Sequence, residues 1–204
     1  MVLDRFFDLI RAVPAPDDAE LLFGDDDLGR LRERNLRRYL EAPHSPVLLL
    51  GEAPGWRGMT VTGVPFTSVR EVEAGVLPGL ELPSEPQAPW EASSRVFWET
   101  MALWRGPLPL SWPVYPHHPF VAGRPLTNRT PRSSEVRAGG PVAEELIRVL
   151  GIETVVAVGR KAQGALAEAG IEAPAVRHPA QGGARLFTEQ LLALNRAMPE
   201  TQNG

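Results

Sequence analysis

Apolar positions along the chain fall into two periods. Residues Val47 to Leu50 are apolar without a break, with Pro46 before them and glycines after, as expected of a strand buried on both faces of a parallel sheet. Similar short runs occur at Leu110–Val114, Glu153–Val158 and Ala173–Arg177. Between them the apolar residues take helical spacing. The first such segment, Leu3–Val13, is broken by Pro14-Ala-Pro-Asp-Asp, and the second is capped by Asp25–Asp27 and runs to about Leu40. In that second helix Leu28, Leu31, Leu36 and Leu40 point inward, and Arg30, Arg32, Arg34, Arg37 and Arg38 form a mostly outward face. Further helices are expected at Ser93–Trp104, at Pro141–Leu150 with Pro in its first turn and Gly151 as its stop, from Gly159 to Gly170, and at Ala184–Ala197. Glu71–Pro89, rich in Pro, Gly and Glu, reads as an irregular surface excursion. Strands separated by helices give a three-layer α/β/α sandwich with a central four-stranded parallel sheet, because right-handed crossovers place helices on both faces.

Composition narrows the chemistry. With 204 residues and 43% hydrophobic content, the chain can bury one core and reads as one domain over 1–204. Zero cysteines exclude disulfides, thiolate nucleophiles and iron–sulfur clusters. No apolar run approaches the roughly 20 residues of a membrane helix, and the N-terminus is unlike a secretory signal, so a cytoplasmic protein that does not engage membranes is expected. The net charge of −4 is unevenly spread: residues 1–27 form an acidic helical arm with eight acids against two arginines, leaving the remainder at +2. That remainder is compatible with a local DNA-binding patch. Every Asp lies in the acidic arm, so a catalytic carboxylate in the body must be a Glu.

Three segments follow strands at their carboxyl ends, where open α/β sheets bind ligands: GEAPG at 51–55, YPHHP at 115–119 and HPAQGG at 178–183. GEAPG followed by GVPF (63–66) resembles the first motif of the family 4 branch of the uracil-DNA glycosylase superfamily. The spacing in PGWRGMTVTGVPF is closer to that of the single-strand-selective branch. NRTPRSSE, the helix after it, and VVAVGRKAQGAL also resemble family 4, and RHPAQGG is similar to the superfamily's second motif. The resemblance spans Pro46–Phe187.

The resemblance implies roles for particular residues. Glu52 would orient water and stabilise the oxocarbenium-like sugar. Gly51, Ala53 and Pro54 would surround the base, with Phe66 stacked on it. His178 would donate a hydrogen bond to the base's O2. Gln181, Gly182 and Arg185 would meet the duplex, without the bulky aliphatic wedge usual there. The superfamily commonly reads uracil with an Asn at the end of the second strand. Pro113 stands near that place here, and the chain's asparagines are Asn35, Asn128, Asn195 and Asn203. His117 or His118 could read the base instead, or form a packed turn. Arg124, Arg129 and Arg132 lie together in a polar loop and are the candidates for gripping phosphates.

The implied activity is monofunctional hydrolysis of the bond between deoxyribose and uracil or another deaminated base, by a monomer acting on DNA without metal or cofactor. A lyase step needs an amine nucleophile, and Lys161 is the one lysine. The alternative is a non-catalytic DNA-binding member of the same fold. A phosphate-binding nucleotide enzyme is disfavoured, because no Gly-rich loop carries a Lys.

Overall fold

The computed structural model describes residues 3–86 and 91–198. Four strands form one all-parallel sheet: β2 (Val47–Gly51), β3 (Leu110–Pro113), β5 (Thr154–Val158) and β6 (Ala175–Val176), in the order β3-β2-β5-β6. Side chains alternate across it as the two-residue period requires. Leu48 and Leu50 join one core, and Val47 and Leu49 join the other. The first core is covered by α1 (Asp4–Ala12), α2 (Asp27–Glu41), α6 (Ser133–Val149) and α7 (Arg160–Glu168), the second by α5 (Ala92–Met101) and α8 (Ala184–Ala197). The strands are apolar throughout because neither face meets water. This is the α/β/α sandwich expected.

Several elements differ from expectation for local reasons. Helix α6 begins at Ser133 rather than Pro141 because the Glu135 carboxylate accepts the Arg132 main-chain N–H at 2.7 Å and starts the helix earlier. Pro141 then sits inside the helix, where it forgoes one hydrogen bond. The last strand shrinks to Ala175–Val176. Two short helices, α3 (Met59–Thr62) and α4 (Val69–Glu73), fall in stretches too brief to carry a period. Residues 87–89 of the expected irregular excursion lie outside the described residues. A second, two-residue ladder joins β1 (Ala19–Glu20) to β4 (His118–Pro119).

The acidic N-terminal segment is packed onto the body. Phe6, Phe7 and Ile10 are buried, and the Phe6 ring meets Trp112 of β3 edge-on at 5.0 Å. The arginine face of α2 is consumed locally. Arg32 is buried and donates to the carbonyls of Thr60 and Leu22 and to Glu20, Arg37 lies over the Phe7 ring, and Arg34 and Arg38 pair with Glu81. Arg32 therefore faces inward, contrary to the periodicity, because the carbonyls around it need a donor.

Helix α6 lies so close to the chain just past β3 that Gly139 leaves no room for a side chain: a Cβ there would stand 2.0 Å from the Val114 carbonyl oxygen. A helical Gly→Ala exchange ordinarily stabilises by about 0.5–1 kcal/mol. Gly139→Ala should instead destabilise by about 1–3 kcal/mol through overpacking. Chemical denaturation checks this, and a gain in stability would refute the close approach.

Candidate active site

The carboxyl ends of β3, β2, β5 and β6 open onto a cavity of about 470 Å³. Gly51, Glu52, Ala53, Pro54 and Phe66 line it from the β2 side, and His178, Ala180 and Gln181 from the far side. Seven of these are expected site residues, and Ala180 belongs to the HPAQGG loop that carries two of them. Pro113 also lines the cavity, paired in register with Gly51 at the end of β3, and offers no side-chain hydrogen bond.

Glu52 leaves β2 half-buried. Burial pushes its carboxyl above the usual range, opposed by the positive charge of Lys161 and by a hydrogen bond from Thr130. The Lys161 ammonium itself donates to Thr130 Oγ1 at 3.1 Å. The lone lysine therefore reaches the cavity wall, closer to Glu52 than its position along the sequence suggested.

His178 is fixed in a defined tautomer. The Ala180 main-chain N–H, which can only donate, points at its Nδ1 at 3.1 Å, so in the neutral ring the proton is on Nε2. Burial, and secondarily the Arg177 charge, pulls its pKa down and favours that neutral form. A side chain at Gly159, whose φ is +95°, would press on the His178 Cβ at 3.1 Å.

One face of Phe66 is stacked on Phe97 at 4.8 Å, and its ring stands 6.3 Å from that of His178. Phe66 and Gln181 are the non-glycine residues with positive φ among those described, at +51° and +53°, and both line the cavity. Such conformations cost about 1–3 kcal/mol and persist where surroundings over-determine them.

Other expected residues are placed elsewhere. His117 and His118 are fully buried and do not line the cavity. His117 Nε2 meets the Val13 carbonyl, and burial lowers its pKa. His118 Nε2 meets the Thr127 carbonyl and Asn128 Oδ1, and Nδ1 lies 3.5 Å from Glu20. Both rings are tied to the N-terminal segment and the loop before α6 and cannot face a base. Arg129 touches the cavity, but its guanidinium is held by Asp18 and Glu135 at 3.1 and 2.7 Å. Arg132 pairs with the same two carboxylates. The hydrogen bond from Arg132 holds the Asp18 carboxyl far below the usual range. The acidic segment thus neutralises two of the three arginines expected to grip phosphates. Arg124 is exposed on a tight turn away from the cavity, Gly182 does not line it, and Arg185 is paired with Glu189 on the first turn of α8.

Among the residues on the wall that the sequence reading missed are Glu91, Ser93, Asn128, Arg160 and Arg177. Glu91 accepts from Ser93 Oγ at 2.6 Å, and burial raises its pKa. Its carboxylate fills the space beside Gly58, where a Cβ would stand 2.5 Å away, which explains that glycine. Asn128 belongs to NRTPRSSE and was noted only as one of four asparagines. Arg160 and Arg177 follow strand ends, a signal that could have singled them out; among the described residues neither side chain has a hydrogen-bond or ion-pair partner. Among the described residues no three His, Asp or Glu side chains gather as a metal site, and no helix is long and apolar enough to cross a membrane.

Fold and cavity together define an α/β/α protein with a cavity at the carboxyl edge of a parallel sheet, where such sheets bind ligands. The family model of the Uracil DNA glycosylase superfamily matches residues 38–198, and the chain belongs to that superfamily. A similar solved structure is the crystal structure of wild-type SMUG2 from Pedobacter heparinus, 18% identical, with a TM-score of 0.65 over 96% of this chain and 97% of that one, a likeness of fold. No curated protein matches the sequence.

The opposition between burial and Lys161 at Glu52 can be read directly. With Lys161→Met, the Glu52 carboxyl should titrate at higher pH than in the wild type, because the charge that favours its ionised form is gone while burial remains. Carbon-detected NMR titration of that carboxyl measures it; a midpoint that falls or stays in place would show that Lys161 does not act on Glu52.

Proposed function

We propose that the protein is a monofunctional DNA glycosylase, hydrolysing the N-glycosidic bond of uracil or another deaminated base. The observation that carries this reading is the gathering of Glu52, Phe66 and His178 on one cavity at the edge of the sheet. An extruded base enters flat against Phe66. Glu52, as the carboxylate, orients water and faces the positive charge that builds on the sugar as the bond lengthens. His178 Nε2–H points its proton at the oxygen that gains negative charge as the base departs, with Nδ1 restrained by the Ala180 N–H. The ammonium of Lys161 is engaged with Thr130 and with the Glu52 charge, which supports water rather than an amine as the nucleophile.

DNA enters along the cationic rim. Arg160 and Arg177 replace Arg129 and Arg132 as the groups that meet phosphates, since the latter pair is neutralised by Asp18 and Glu135. Gln181, at the tip of the loop after β6, is the side chain placed to meet the vacated stack.

Oligonucleotides carrying uracil, hypoxanthine or xanthine, assayed for abasic sites, test the activity. Glu52→Gln should lower the single-turnover rate by about 10²–10⁴-fold with DNA binding nearly intact. An unchanged rate removes Glu52 from the mechanism. Binding by the wild type without abasic sites from any of the three bases would make the chain a non-catalytic member of the fold.

Salt titration tests the rim. Replacing Arg160 and Arg177 by Ala should flatten the slope of log affinity against log salt by about 0.7–0.9 for each phosphate that is no longer neutralised. An unaltered slope would place the DNA path elsewhere.

A further inference from the structure

The orientation of Asn128 carries an inference about which bases the cavity accepts, resting on the glycosylase reading above. The Trp56 main-chain N–H lies 3.1 Å from Asn128 Oδ1. A main-chain N–H only donates, so the side-chain oxygen must occupy that position and the amide cannot be turned over. His118 Nε2 stands 3.2 Å from the same oxygen and 3.0 Å from the Thr127 carbonyl, which only accepts, so Nε2 bears a proton and donates. With the Trp56 N–H and a share of the single His118 Nε2–H at Oδ1, the accepting side of Asn128 is turned toward the protein. What it presents to a ligand is the NH₂ group, which has no partner among the described residues, on a side chain that lines the cavity with Glu52, Phe66 and His178. His118 itself is held by the Thr127 carbonyl, and its Nδ1 lies 3.5 Å from Glu20 Oε2 of β1.

An amide restricted to donating has a definite chemical preference. Uracil at C4 and hypoxanthine at C6 carry a carbonyl where their parents cytosine and adenine carry an amine, whereas xanthine and its parent guanine share the C6 carbonyl. A fixed NH₂ pairs with the carbonyl and meets the amine donor to donor. The other amide on the wall, Gln181, has no hydrogen bond among the described residues that fixes its side chain, and Pro113 has no donor at all. Discrimination needs a donor held in place.

We propose that Asn128 is the specificity-determining residue of the cavity, its Nδ2 donating to the carbonyl that distinguishes uracil from cytosine and hypoxanthine from adenine.

The test is equilibrium binding of single-stranded oligonucleotides that carry one 2′-fluoro-2′-deoxynucleotide, uracil or cytosine, in one sequence context. The fluorine disfavours the oxocarbenium-like state, so binding is read without cleavage and does not depend on activity. The wild type should prefer uracil by about 10- to 100-fold, the range of one well-placed hydrogen bond against an unpaired donor. Asn128→Asp keeps an oxygen for Trp56 and His118 and exchanges the NH₂ for a second acceptor. Its preference should vanish or invert toward cytosine, whose amine can donate to the new oxygen. Asn128→Ala should lose the preference for uracil without gaining one for cytosine. A uracil preference unchanged in Asn128→Asp overturns the proposal. If neither variant folds by circular dichroism, the wild type alone decides on the purine pair, because equal affinity for hypoxanthine and adenine overturns it while a hypoxanthine preference supports it. Failure of the glycosylase reading appears separately, as the absence of abasic sites in the activity assay.

Discussion

A carboxylate drawn partly out of water at the end of a buried strand is the constraint around which the molecule is arranged. Glu52 follows directly on β2, whose five residues are all buried, and the desolvation this imposes raises its pKa. Isolated, such a group would bind a proton and lose its value as a base. Lys161, at the start of the helix after β5, and Thr130, on the loop before α6, supply the opposing charge and hydrogen bond. Their meeting depends on the strand order, because β5 is the neighbour of β2 and so delivers α7 beside the GEAPG turn. The parallel sheet thus performs two tasks, since its apolar strands force Glu52 toward low dielectric and its crossovers return the groups that keep the ionised form accessible.

The acidic N-terminal segment serves the far wall of the same cavity. Asp18 and Glu135 hold Arg129 and Arg132, and Glu20 stands beside His118, which holds Asn128. Charges that look in the sequence like a detached acidic arm are instead spent within the protein on ordering the loop at residues 120–132. This also explains how a chain of net charge −4 presents a cationic rim. Local pairing removes Arg129 and Arg132 from the surface field, and Arg160 and Arg177, which no carboxylate among the described residues neutralises, remain at the cavity.

Strain and close packing collect at this edge of the sheet. Phe66 and Gln181 hold left-handed backbone, Gly159 lies against His178, and Gly58 yields its side-chain space to Glu91. Each is locally unfavourable or restrictive, and each fixes the position of a group on the wall. Preorganisation of this kind lets a site act on charge that appears only during reaction, since little reorganisation remains to be done.

The sequence by itself determined the layered architecture. Runs such as VLLL at 47–50 and TVVAV at 154–158 have no polar face to offer water, and the helices between them leave a parallel sheet as the solution. It also located Glu52 and His178 on strand-end loops, because glycines and prolines mark where buried strands terminate, and the ordered motifs, GVPF with Phe66 among them, indicated the superfamily. Only the tertiary structure decided which polar residues face the cavity. His117 and His118 share their segment with a strand-end loop but turn inward, because buried carbonyls at Val13 and Thr127 require donors. Arg129 and Arg132 are claimed by Asp18, more than 100 positions away in the chain. Asn128 reaches the wall where its side-chain oxygen meets the Trp56 N–H, 72 positions away in the chain. Hydrophobic burial follows a period that neighbouring residues reveal, whereas the satisfaction of buried polar groups depends on partners that only the completed fold brings within reach.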